Sequence, residues 1–203
     1  MSNKLFIFDL DGVLVEACDW HRDALNEALY DTCGFRISQQ EHVSTFNGIP
    51  TSKKLKILSQ KGLVPAEMHE EINALKQEKT IQIIKTKAFN RQEKVDMLKQ
   101  LADKGHVICC YTNSIRKTAE LMLERTGIKN LFDTILTNQD VNNPKPDPEG
   151  YLHLMSLYGF ESCDTYIIED SPKGLQAAKE SSANVIKVRN ADDVDIDLLR
   201  RYI

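Results

Sequence analysis

No apolar run in this chain approaches the roughly 20 residues of a membrane-crossing helix, and the N-terminal run, Leu5 to Phe8, is too short for the core of a signal peptide. Cysteine is scarce and unpatterned: Cys18, Cys33, Cys109, Cys110 and Cys163 form an odd set with no Cys-x-x-Cys spacing. Neither a zinc knuckle nor a secreted disulfide framework fits that set, so the thiols read as reduced and the cytoplasm is the expected compartment. Six prolines and nine glycines leave no room for a low-complexity tail. Excess basic charge is missing too. Lys and Arg number 26 against 30 Asp and Glu, a net charge of -4, so neither nucleic acid nor a membrane is an expected partner.

What is present is the composition of an ordinary globular chain, 41% hydrophobic and 28% charged. Its 203 residues suffice for one domain with a large core, or for a core domain with a modest insertion. The chain is organised around Lys4 to Val15. Leu5 to Phe8 has the aromatic and β-branched character of a strand buried on both faces of a parallel sheet. Strand alternation turns Asp9 and Asp11 the same way and Leu10 inward, while Gly12 is free to turn. Two carboxylates so placed repel unless a cation or a proton lies between them, which points to a hard-metal site or an acid/base pair. The plain alternative is a solvated Asp-rich turn.

Residues 16–88 then read as repeated helix. Trp20, Ala24, Leu25, Ala28 and Leu29 recur at helical spacing up to Gly34, and helices follow from Lys53 to Ser59 and from Ala66 to Lys87. Pro50 and Pro65 stand where helices start. From residue 89 the pattern changes to alternating helix and strand, the signature of a parallel sheet with crossover helices. Strands are expected at His106 to Thr112, Leu131 to Thr137, Thr165 to Glu169 and Val185 to Val188.

The ends of those strands carry the chemistry-bearing residues. Thr112-Asn113-Ser114 gathers hydroxyl and N–H donors before a helix, a place that favours anions, although a capping role alone accounts for Ser114. In Asn143-Pro144-Lys145-Pro146-Asp147-Pro148 the prolines hold one lysine in an extended segment at a fixed place. Glu169-Asp170-Ser171-Pro172 ends the fourth strand, with Ser171 as an expected N-cap and Pro172 at the first helical position. Four carboxylates, Asp9, Asp11, Glu169 and Asp170, are thereby expected in one crevice, where Mg²⁺ would relieve their repulsion.

Taken in order, Asp9-Leu10-Asp11-Gly12-Val13, Thr112-Asn113, Lys145 between two prolines and Glu169-Asp170-Ser171 resemble the four motifs of the haloacid dehalogenase superfamily, over nearly the whole chain. The inserted helices resemble the α-helical cap of the subclass containing β-phosphoglucomutase and phosphoglycolate-type phosphatases. The resemblance implies an α/β fold, a Rossmann-like parallel sheet core (residues 1–15 and 89–203) with an inserted α-helical cap (16–88). It implies Asp9 as nucleophile, Asp11 as general acid and base, and Thr112, Asn113 and Lys145 as holders of the phosphoryl oxygens. It also implies Mg²⁺ bound by Asp9, the Asp11 carbonyl, Asp170 and Glu169, the last directly or through water.

The second acid, Asp11, argues against carbon–halogen and carbon–phosphorus cleavage, so a phosphatase acting on a small phosphorylated metabolite, such as a sugar phosphate, is expected. His21, Asn47, Thr51 and Lys79 are the candidate cap residues for the leaving group. A mutase is the alternative: His21 lies where β-phosphoglucomutase carries a functional histidine, although it reads equally as the polar face of a cap helix. Thr51, however, stands where that enzyme has a phosphate-binding arginine, and Lys79 or Lys76 would have to compensate. A catalytically silent phosphate-binding protein is the remaining alternative, yet no core motif residue is missing.

Overall fold

The computed structural model describes residues 3–46 and 49–203, and its chain divides into two compact units, Met1–Ala17 with Ala88–Ile203 and Cys18–Lys87. The first strand, β1 (Leu5–Phe8), leads into the inserted unit, whose helices are α1 (Cys18–Cys33), the single turn α2 (Gln39–Glu41), α3 (Thr51–Gln60) and α4 (His69–Lys87). Ala24, Leu25, Ala28 and Leu29 form the buried stripe of α1. They share a core with Ile37, Phe46, Leu55, Leu58, Val64 and Ile72. Ser38 and Glu41 close α2 with reciprocal capping hydrogen bonds, satisfying N–H groups that a helix start leaves open. The helix expected to begin at Ala66 opens instead with a 3₁₀ turn, Ala66–Met68, before α4.

The other unit continues with α5 (Gln92–Asp103), β2 (Val107–Tyr111), α6 (Arg116–Arg125), β3 (Thr134–Leu136), α7 (Glu149–Tyr158), β4 (Thr165–Glu169), α8 (Pro172–Glu180), β5 (Asn184–Lys187) and the short α9 (Ile196–Leu199). All strands are parallel, in the order β3-β2-β1-β4-β5. Every residue of β1 has no exposed surface, as a central strand covered on both faces requires. Register places the site: Phe8 lies opposite Cys110 and Ile168. Asp9, Thr112 and Glu169 therefore leave three adjacent strands at the same edge, the carboxyl end where open α/β sheets present ligand-binding groups. Under that edge Leu5, Ile7, Cys109, Tyr111, Tyr151, Leu154 and Ile167 pack as one core.

One strand is shorter than its sequence suggests. Lys129–Leu131 forms a 3₁₀ turn, and β3 starts only at Thr134. The Asp133 carboxylate accepts the Ile108 N–H at 2.8 Å, taking the place of a ladder carbonyl. Among the described residues the cysteines are free thiols, and no helix is long and apolar enough to cross a membrane.

Candidate active site

Lys145 is the centre of the site. Its ammonium is buried and donates to Asp9 Oδ1 at 2.7 Å, Glu169 Oε2 at 2.8 Å and the Tyr111 carbonyl at 2.8 Å. Three N–H bonds meet three acceptors, so the charge is fully compensated in direction as well as in sign. The rings of Tyr111 and Tyr151 close around it, with centroids 4.7 and 5.2 Å from the nitrogen. The Asn113 amide donates to the Lys145 carbonyl at 2.9 Å, tying the lysine's segment to the end of β2.

Asp11 faces a different set of partners. Its Oδ2 accepts from the Ser114 hydroxyl at 2.8 Å, and the Thr112 hydroxyl lies 3.4 Å away. Ser114 is therefore not the helix cap that its position suggests: α6 begins at Arg116 with Ile115 at its N-cap and no side-chain capping bond. Thr112 is nearly buried, and its Oγ1 also accepts the Ser114 N–H at 3.0 Å.

Glu169 is held from both sides. Oε2 accepts from Lys145 and from the Tyr151 hydroxyl at 3.0 Å, while Oε1 accepts from Asp170 N, Ser171 N and Ser171 Oγ at 3.1, 3.0 and 2.9 Å. The same Ser171 oxygen accepts Gly174 N–H as the N-cap of α8, with Pro172 in its first turn. A side chain at 174 would not fit: a Cβ there would stand 1.9 Å from Glu169 Oε2.

Asp9, Glu169 and Asp170 each offer one carboxylate oxygen, all within 4.8 Å of one another. Three carboxylates thus converge, and Asp11's is turned toward the hydroxyls. One lysine neutralises only part of this charge. Burial first, then the neighbouring Glu169, holds the Asp9 pKa well above the carboxylate range against the pull of Lys145. Burial and Glu169 likewise push Asp170 up to about 7. Burial also works against Glu169, but the charge and hydrogen bond of Lys145 outweigh it and keep that pKa low. Asp170 Oδ1 is buried with no hydrogen-bond partner. An all-oxygen donor set with surplus negative charge and an orphaned carboxylate oxygen suits a hard divalent cation.

Comparison with known proteins agrees with this geometry. A sequence profile described as haloacid dehalogenase-like hydrolase matches residues 6–188. The chain belongs to that family. Among curated relatives of this hydrolase, the pyrophosphatase PpaX of Bacillus velezensis is 25% identical over 90% of this chain and 81% of its own length. The fructose-1-phosphate phosphatase YqaB of Escherichia coli is 26% identical over 90% and 95%. The crystal structure of CbbY from Rhodobacter sphaeroides in complex with phosphate superposes with a TM-score of 0.80 at 21% identity, covering 92% of this chain and 86% of that one, and shares the fold.

The candidate residues of the inserted unit are placed less uniformly. Lys79 is an ion-pair partner inside that unit, 2.7 Å from Asp31 and 3.7 Å from Glu27, on a cross-helix contact between α4 and α1. His21 Nδ1 lies 3.3 Å from Lys76 Nζ. Thr51 is the first residue of α3. Asn47 falls outside the described residues. Sequence reasoning missed Tyr111, Tyr151 and the Asp11 contact of Ser114, and it passed over Gly150 and Gly174. The two glycines did leave a signal: glycine in the opening turns of a helix loses stability without a packing reason. At Gly150 the reason is the Tyr111 ring, 2.3 Å from where a Cβ would be.

Proposed function

We propose that this hydrolase is a Mg²⁺-dependent phosphatase that cleaves small phosphomonoesters through an aspartyl phosphate on Asp9. The observation that carries the reading is the division of labour between two aspartates two residues apart. Asp9 is fixed on a buried ammonium, whereas Asp11 rests on two hydroxyls. Two carboxylates in such different surroundings suit a nucleophile and an acid/base. That PpaX and YqaB are named as enzymes acting on small phosphates supports the substrate class.

In this reading Asp9 attacks phosphorus in line, and the leaving oxygen takes a proton from Asp11 as the ester bond breaks. Asp11, now ionised, removes a proton from water as that water attacks the phosphoryl group, and Asp9 is released with inorganic phosphate. Lys145, the Thr112 hydroxyl and the Asn113 backbone hold the phosphoryl oxygens. Asp9, Asp170 and the Asp11 carbonyl would hold Mg²⁺, with Glu169 behind them. When bound, the ion would supply charge neutralisation on the transferring group and would favour ionised Asp9. Lys145 supplies the other fixed positive charge.

The unit Cys18–Lys87 would act as the cap that selects the leaving group, with a sugar phosphate as the class to screen first. A mutase must grip a second phosphate there. The uncharged Thr51 and the ion-paired Lys79 give that reading little support.

Mass spectrometry of enzyme acid-quenched during turnover of an aryl phosphate tests the assignment. Asp11→Asn is expected to accumulate one phosphoryl group on the peptide containing Asp9, because activated aryl esters leave without a proton while the second step lacks its base. Asp9→Asn is expected to show neither adduct nor turnover. Near-normal turnover of Asp9→Asn, with no adduct in Asp11→Asn, would make water the nucleophile.

A further inference from the structure

We propose that Tyr151 is a positioning residue of this site: its hydroxyl orients the Glu169 carboxylate, and Glu169 in turn holds the Lys145 ammonium against Asp9. Tyr151 has no exposed surface, and its hydroxyl finds a partner inside the protein. That partner is Glu169 Oε2, at 3.0 Å, the oxygen that also receives Lys145. Two donors fill the two lone pairs of Oε2, and three more converge on Oε1. Glu169 cannot turn without breaking several of these bonds. Lys145 is just as constrained, with each N–H on a separate acceptor.

The ring and the hydroxyl of Tyr151 do different things. The ring packs edge-to-face on Tyr111 at 5.0 Å and, with it, walls the ammonium. A phenylalanine would keep that wall. The hydroxyl, which phenylalanine lacks, is one of the two donors on Glu169 Oε2. Without it Oε2 keeps Lys145 as its one donor and pulls harder on it, so the ammonium is drawn toward Glu169 and away from Asp9 while the Oε1 bonds hold. The effect falls on Lys145, the group that meets charge developing on the phosphoryl oxygens, so the loss appears in turnover ahead of substrate binding.

This inference rests on the phosphatase reading for its kinetic arm only. In Tyr151→Phe, kcat for an aryl phosphate is expected to fall about tenfold with KM changed less than about threefold. The crystal structure of the variant is expected to show the contact between Lys145 Nζ and Asp9 Oδ1 lost. A buried residue on the same helix, Leu154, supplies the control for mere loosening of α7. Leu154→Ala, assayed below its own melting midpoint, is expected to keep wild-type kcat. The proposal is overturned if Tyr151→Phe retains the Lys145–Asp9 contact, if its kcat stays within twofold of wild type, or if Leu154→Ala loses as much. Should the wild type hydrolyse no phosphomonoester, the phosphatase reading fails, and the crystallographic arm alone decides the positioning role.

Discussion

Glycine at position 174 shows how much of this site depends on an absent side chain. Its would-be Cβ lies 1.9 Å from Glu169 Oε2 and 2.0 Å from the carboxylate carbon, so Gly174→Ala must expel a buried charged group from its donors. Breaking such a network costs about 3–5 kcal/mol, and Lys145 loses an anchor with it. Urea denaturation is expected to show a loss of that order, with turnover at background. Gly159 makes the contrast: it takes a left-handed conformation at φ +69° with nothing within 4 Å of its would-be Cβ. Gly159→Ala is expected to cost only about 1 kcal/mol, from backbone strain, and to leave kcat unchanged. Equal losses in the two variants would show that steric exclusion at Glu169 is not what matters. Residues whose roles follow from local rules were legible in the sequence: Ser171 caps α8 as its position before Pro172 suggests. Ser114 follows the same local pattern and does something else, because Asp11, 103 positions away in sequence, competes for its hydroxyl. No local pattern contains that contact, nor the one between Tyr151 and Glu169.

Elements divide along the same line. Strands β1 and β4 match their expected limits to the residue, since both are short apolar runs cut off sharply by the carboxylates that end them. Strand β3 does not, because a long-range side-chain bond from Asp133 replaces ladder pairing where the sequence still reads as strand. The helix α5 carries a further feature invisible to periodicity. Lys94 sits among its apolar positions, 2% exposed, and donates to the carbonyls of Ala191 and Val194, tying α5 to the segment after β5. Burial, with the nearby positive Arg91, lowers its pKa from 10.5 to about 8. Between about 8 and ~10.4 the unfolded chain holds a proton on Lys94 that the native state has lost, so stability rises with pH across that window. As pH falls through about 8 the contribution disappears. Urea titrations at pH 7.5 and 10 are expected to show the wild type gaining roughly 2 kcal/mol over Lys94→Met at the higher pH. Parallel behaviour of the two proteins would mean that Lys94 keeps its ordinary pKa in the fold.

For the molecule as a whole, a cation held by the site as proposed would link its binding to folding, and the linkage would fall on one unit. Every residue of the carboxylate cluster belongs to the sheet unit, while Cys18–Lys87 has a core of its own built from Leu25, Leu29, Phe46, Leu58 and Ile72. A ligand that binds only the native state stabilises it by about 2.7 kcal/mol at a hundredfold excess over Kd. Mg²⁺ is therefore expected to raise the melting midpoint and to increase hydrogen-exchange protection in β1, β2 and β4. Amides of the α1 and α4 core should change little with Mg²⁺ alone. Asp170→Asn removes a donor whose buried oxygen has no other partner, so Mg²⁺ should no longer shift that variant's midpoint. Excess chelator is expected to abolish wild-type turnover and Mg²⁺ to restore it. Ca²⁺, with its larger and looser oxygen shell, should raise the midpoint without supporting turnover, since it misplaces the Asp9 carboxylate relative to phosphorus. Full turnover in excess chelator would remove the cation from the mechanism. A gain in protection shared equally by both units would instead show that the inserted helices belong to the same cooperative unit as the site.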